Sequence, residues 1–286
     1  MQTVKRLDVL RNAVAALRDN DTTLALVPTM GALHEGHLTL VREARARADA
    51  VAVSIFVNPT QFGPNEDLDA YPRQLEADSR LLEAEGVDLL WAPGVEDMYP
   101  DGFASSISVS GVSEGFCGAS RPGHFDGVAT VVCKLFHQVL PDCAIFGEKD
   151  WQQLAVIRRM ARDLDLTRPL ADNIVGIPTV RESDGLAMSS RNRYLDPAQR
   201  KQAATLPAAM RTAIAAIEDG EDVGRALEAL ESALIRGGFS SVDYAQLADA
   251  DSLAVLGTRP THPARLLVAA RIGGTRLIDN MAVGGG

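Results

Sequence analysis

The chain has 286 residues, 46% of them hydrophobic and 23% charged, the make-up of a globular protein and not of a disordered one. At this length a core forms without disulfides or a structural metal. Its 28 Lys+Arg against 38 Asp+Glu give a net charge of −10, which argues against nucleic acid as the main partner, because such binding comes from neutralising phosphates. Any anionic substrate must be met by a few placed cations.

Cys117, Cys133 and Cys143 are odd in number and not closely paired. They predict free thiols in a reducing compartment, not a disulfide framework or zinc knuckle. Residues 1–19 carry charges throughout, without an apolar signal core, and no apolar run reaches membrane-span length. A cytoplasmic location is expected, with no membrane partner.

Val4, Leu7, Leu10, Val14 and Leu17 recur at helical spacing and predict a helix over 4–17. The apolar run 24–27 reads as a strand ending in a Pro28-Thr29-Met30-Gly31 turn. A helix over 36–48 follows, then a strand over 50–57 stopped by Asn58-Pro59. Residues 71–85 read as an amphipathic helix, 87–91 as a strand, 125–140 as a helix and 143–146 as a strand. A helix over 150–164 and a strand over 173–180 complete this part. Strands apolar on both faces, alternating with amphipathic helices, predict an α/β fold: a Rossmann-like parallel sheet with helices on both faces. Beyond Met188 the texture changes. Helices over 197–217 and 223–235 precede strands over 242–247 and 264–272, and Gly273-Gly274 turns the last into a hairpin partner over 275–278. This predicts a smaller C-terminal α+β domain, with the division placed as 1–179 and 180–286. The Gly284-Gly285-Gly286 tail is expected to lack fixed structure.

In parallel sheets ligands sit beyond the carboxyl ends of strands, and the main chemistry-bearing motifs, after Val27, Val57 and Phe146, lie there, while 188–192 sits in a loop. His34-Glu35-Gly36-His37 follows the first buried strand and opens a helix, whose N-terminus is a ready phosphate site. Gly36 is expected to leave room for a ligand near the backbone. Gly147-Glu148-Lys149-Asp150 follows another strand. There Lys149 can reach a phosphate, and Asp150 can cap the next helix or hold Mg²⁺. Met188-Ser189-Ser190-Arg191-Asn192 combines hydroxyls with a guanidinium, the parts of a phosphate clamp. Asn58, Gln61 and Gln153 are neutral amides near strand ends, suited to hydroxyls and a carboxylate. Taken singly, each motif also reads as ordinary surface, cap or turn.

The strings 27–37, 55–62, 146–150 and 186–192, with Arg121-Pro122-Gly123-His124-Phe125, resemble the pantoate–β-alanine ligase (pantothenate synthetase) family of the HxGH nucleotidyltransferase superfamily. The resemblance is dense over 24–195 and loose near the C-terminus. It implies condensation of pantoate with β-alanine, driven by ATP with Mg²⁺, through pantoyl adenylate, giving AMP and pyrophosphate. It implies ATP contacts at Met30, Gly31, Ala32, Leu33, His34, Glu35, Gly36, His37, Gly147, Glu148, Lys149, Asp150, Val180, Met188, Ser189, Ser190 and Arg191. His34, His37, Lys149 and Arg191 are the implied catalytic residues, with His37 as the family's proton donor. Gln61 and Gln153 would bind pantoate with Asn58 supporting, and Gln61 would also meet β-alanine. A homodimer is implied. A polar loop over 63–70 is the candidate lid over an adenylate that water would hydrolyse. The chain departs from the pattern in a longer connection over 167–173. Two alternatives share HxGH: a nucleotidyltransferase acting on a phosphorylated acceptor, and a nucleotide-binding regulator without catalysis. A tRNA synthetase fits a short, acidic chain poorly.

Overall fold

The computed structural model describes residues 1–18, 21–64, 66 and 68–284. Six strands form one parallel sheet in the order β1-β4-β3-β2-β5-β6. They are β1 (Gln2–Val4), β2 (Leu24–Thr29), β3 (Ala50–Ile55), β4 (Leu89–Trp91), β5 (Cys143–Gly147) and β6 (Ile174–Ile177). Successive side chains of a strand point to opposite faces. Leu24, Leu26, Ala52, Leu89 and Trp91 therefore join one core with α1 (Leu7–Leu17), α6 (His124–Val139) and α7 (Trp151–Asp163). Ala25, Val27, Val51, Val53, Leu90 and Ile145 join the other with α2 (Glu35–Arg45) and α3 (Leu75–Ala84). Each fully buried Leu or Val contributes roughly 1.5–3 kcal/mol.

Three expectations are corrected. Val4 belongs to β1, where it pairs with Trp91, and the helix begins only at Leu7. The helix expected over 197–217 is two, α8 (Pro197–Ala203) and α9 (Thr205–Glu218). Pro207 has no N–H to give the Ala203 carbonyl, so the ladder breaks there. The short helices α4 (Val95–Met98) and α5 (Phe116–Ser120) were not predicted. The longer connection over 167–173 is a loop ending in a 3₁₀ turn, Ala171–Asn173.

With α10 (Val223–Arg236), α8 and α9 pack on an antiparallel sheet of β7 (Ser241–Asp249), β8 (Ala264–Ile272) and β9 (Thr275–Val283). Gly273 and Gly274 have φ of +54° and +80°, which the two-residue hairpin between β8 and β9 requires. Asn65 and Asp67 of the candidate lid, and Gly285 and Gly286 of the tail, lie outside the described residues. Among those described, no helix is long and apolar enough to cross a membrane.

From β2 the chain moves to β3 and β4 on one side and later to β5 and β6 on the other. The crevice of such a sheet opens where the direction reverses, at the carboxyl ends of β2 and β5. The HxGH and Gly147–Asp150 segments meet there.

Candidate active site

Two imidazoles cap α2. His34 Nδ1 accepts the Gly36 N–H at 3.2 Å, and His37 Nδ1 accepts the His34 N–H at 3.3 Å. This is a reciprocal capping box built from histidines. With both Nδ1 atoms accepting, the neutral rings carry their proton on Nε2. A Cβ on Gly36 would lie 2.9 Å from the His34 ring, so glycine here lets the capping imidazole pack against the helix start. The N–H groups of Gly36 and His37 are already engaged, the latter by the His34 carbonyl at 2.8 Å. Anion-binding capacity here rests on the imidazole Nε2–H groups more than on a bare helix start.

On the amide side, Asn58 is 1% exposed. Its Nδ2 donates to Gln61 Oε1 (3.2 Å) and the Gly127 carbonyl (3.1 Å), and its Oδ1 accepts from Thr60 and the Tyr99 hydroxyl. With its amide occupied, Asn58 stands behind Gln61 and orients it instead of facing a ligand. The Gln61 carbonyl is held at 2.8 Å by His124 Nδ1 and at 3.2 Å by Arg121. Arg121 Nη1 donates to His124 Nε2, which fixes the proton on Nδ1. Arg121 also pairs with Glu66 at 2.5 Å, linking Glu66 to the His124 start of α6. Burial works to raise the Glu66 carboxyl, but Arg121 outweighs it and holds it at about 2.

Two adjoining cavities of about 230 and 510 Å³ share Arg121, His124, Lys149, Asp150, Gln153, Ser189 and Arg191. The smaller adds Met30, His34, Gly36, His37, Asn58, Gln61, Gly147, Val180, Met188 and Ser190. Five residues with implied nucleotide contacts stand off both. Ala32 and Leu33 are buried, Gly31 underlies the turn, and Glu35 pairs outward with Arg42. Glu148 pairs with Arg265 of β8 at 2.8 Å. Asp150 occupies the cap position of α7, yet its side chain makes no capping bond. It is 45% exposed and lies 3.6 Å from the Lys149 ammonium. Enclosure works to raise the Asp150 carboxyl, but Lys149, then Arg191, hold it below the ordinary range. Among the described residues no group of three or more His, Cys, Asp or Glu could hold a metal.

Burial, reinforced by Lys149, lowers His34 to about 4. Burial, then His34 and Lys149, lower His37 to about 3, and burial followed by Arg121 takes His124 to about 4. All three are neutral at pH 7. Between pH 6.5 and 4 the unfolded chain takes protons at these positions that the folded one refuses. Stability is therefore complete above pH 6.5 and falls as pH drops, by up to about 1.4 kcal/mol per pH unit for each histidine. Urea melts between pH 6.5 and 5 should show this slope, and His37→Gln should flatten it by roughly a third. An unchanged slope would refute the buried-neutral assignment.

Sequence reasoning missed Asp78. It is 1% exposed on α3, and its carboxylate accepts the Ala32 and Leu33 N–H groups, each at 2.9 Å, and Gln74 Nε2 at 3.1 Å. It thereby holds the turn that delivers His34, where Gly31 and Ala32 have φ of +84° and +53°. The signal was present: Asp78 falls between Leu75 and Leu82 on the helix's apolar stripe. His124 and Arg121 were noted only within a string, and no local pattern links them to Gln61.

A family model for pantoate-beta-alanine ligase matches residues 2–282. A pantothenate synthetase of Novosphingobium aromaticivorans is 69% identical over 284 residues, covering 99% of each chain. One from Sphingopyxis alaskensis is 60% identical, over 99% of this chain and all of the relative. The crystal structure of the Thermus thermophilus pantothenate synthetase superposes with a TM-score of 0.90 at 49% identity, covering 98% of this chain and 99% of that one. The Francisella tularensis pantoate-beta-alanine ligase, solved with β,γ-ATP and β-alanine, gives 0.83 at 34% identity, covering 98% and 97%. With this extent of match in sequence and fold, the chain belongs to the pantoate–β-alanine ligase family.

Proposed function

We propose that the cleft joins (R)-pantoate to β-alanine at the expense of ATP, releasing AMP and pyrophosphate. The observation that carries this is convergence. Two neutral imidazoles with Nε2–H donors, Lys149 and Arg191 border the same cavity as the amides Gln61 and Gln153. The cations and imidazoles suit a triphosphate, and the uncharged amides suit a hydroxy acid. The pantoate carboxylate attacks the α-phosphorus, pyrophosphate leaves, and the β-alanine amine then attacks the acyl adenylate with loss of AMP. A carboxylate is a weak nucleophile, so alignment by Gln61 and Gln153 matters more than proton transfer. Displacement at phosphorus asks for positioning and charge stabilisation. His37, neutral at pH 7, contributes a hydrogen bond from Nε2 to a phosphate oxygen. Asp150 would meet a magnesium ion carried on the triphosphate, which would neutralise part of its charge.

In this reading residues 1–179 form the nucleotide- and pantoate-binding domain and 180–286 a smaller lid, consistent with the separate core of buried residues between Leu186 and Val283. The enzyme works in the cytoplasm as a homodimer, with small molecules, not nucleic acid or membrane, as its partners. The test is pyrophosphate release with ATP and Mg²⁺. Pantoate alone should give at most one equivalent per site, and adding β-alanine should start turnover to AMP. No pantoate-dependent release would sink the proposal.

A further inference from the structure

Lys149 borders both cavities, but its backbone is held from the other sheet. Asn280 on β9 is 3% exposed. Its Nδ2 donates to the Glu148 carbonyl at 2.8 Å and to the Lys149 carbonyl at 2.9 Å. Its Oδ1 accepts from Arg265 Nη1 at 2.8 Å, so the amide has one orientation with every group used. Arg265 is fixed in turn: it pairs with Glu148 and stacks its guanidinium 3.6 Å over the Trp151 ring. Next to Asn280, buried Asp279 receives both Nη atoms of Arg181, at 2.7 and 2.9 Å. Buried and fully partnered amides of this kind set position, and a polar network shared by two elements moves as a unit.

We propose that Asn280 is a positioning residue for the first half-reaction: it sets the Glu148-Lys149 turn so that the Lys149 ammonium meets the phosphates only when the β7–β9 sheet is docked. This rests on the reading of Lys149 as a phosphate contact. The turn between β5 and α7 is a single 3₁₀ turn, Glu148–Asp150. Beyond the elements on either side, the side-chain bonds to its carbonyls come from Asn280. Releasing them shifts the ammonium, and displacements of about 1 Å in reacting geometry can cost on the order of 100-fold.

The variants Asn280→Ala and Asn280→Asp separate positioning from docking. Asn280→Asp keeps the acceptor for Arg265, as an ion pair, but turns a carboxylate oxygen on two carbonyls. If Asn280 positions Lys149, kcat for pantoate-dependent pyrophosphate release falls about tenfold or more in both, at least as far in Asp as in Ala, with KM for ATP nearly unchanged. Trp91 is fully buried, so acrylamide quenching of tryptophan emission reports Trp151 and should stay at the wild-type value in Asn280→Asp. Unchanged kcat in either folded variant, or an Asp variant more active than Ala, overturns the proposal. If neither folds, Arg265→Met, which keeps bulk over Trp151 but frees the Asn280 oxygen, should show a smaller kcat loss of the same kind. Unchanged kcat there overturns it equally. Lys149→Met is the control: if it retains normal kcat, the phosphate reading of Lys149 fails. If it is inactive while the Asn280 variants are normal, only the positioning role fails.

Discussion

Lys149→Ala should fold normally and lose roughly 100- to 1,000-fold in pantoate-dependent pyrophosphate release, the range seen when one preorganised group that meets developing charge is removed. The side chain borders both cavities and, among the described residues, is ion-paired only with its neighbour Asp150, at 3.6 Å, so little stability is at stake in its truncation. An unchanged urea midpoint checks the fold, and single-turnover release checks the chemistry. A second signature accompanies the rate. Enclosure pushes the Asp150 carboxyl up, and Lys149 is foremost among the cations that outweigh it. Without Lys149 that carboxyl titrates at higher pH, so the acidic limb of the residual activity should move toward neutrality. Lys149→Arg should not restore the rate, because a planar fork replaces a compact ammonium. His37→Ala should lose activity to a similar extent and also lose about 1 kcal/mol, because His37 accepts the N–H of His34 in the helix cap. If both variants turn over at the wild-type rate, the cations and imidazoles of this cleft do not serve the phosphates.

How far the sequence carries the reader depends on how local each cause is. The central strands were legible because both faces are buried, which leaves unbroken apolar runs such as 24–27. The β8–β9 hairpin was legible because a Gly-Gly pair takes the two positive φ values at 273 and 274 without strain. Three-residue β1 was not, since Val4 fits the period of the helix beyond it. At the site, His34, His37, Gln61, Gln153 and Lys149 do border one cleft, as their strand-end positions implied, and Arg191 joins them from a loop. The Glu148 side chain's partner could not be foreseen, because Arg265 lies 117 residues away and no spacing rule can reveal it. That Gly36 also accommodates the His34 ring was not legible, because the close approach comes from a side-chain rotamer. Asn58 was placed near the right pocket, but whether an amide faces a ligand or props another amide is decided by packing from Tyr99 and α6.

Asp78 offers the largest effect on stability, because one buried carboxylate serves three donors. Asp78→Ala leaves the Ala32 and Leu33 N–H groups without an acceptor in the interior, at about 1–3 kcal/mol each. Asp78→Asn keeps one acceptor oxygen and turns an NH₂ toward the second N–H, so a loss of roughly 2–4 kcal/mol is expected for it. The consequence should reach the chemistry. The Ala32 φ of +53° is a conformation that a residue bearing a Cβ adopts only when its surroundings hold it there. Once the Asp78 carboxylate no longer grips the two amides, the turn can relax and His34 leaves its place at the mouth of α2. Folded Asp78→Asn should thus show a lower kcat at saturating ATP and pantoate, besides its lower urea midpoint. Leu82→Ala, on the same helix face and fully buried, should lose comparable stability, about 2–5 kcal/mol, without the loss of kcat. Equal kcat in the two variants would reduce Asp78 to a stability role. A midpoint for Asp78→Asn within about 0.5 kcal/mol of wild type would mean that the buried carboxylate does not hold the turn.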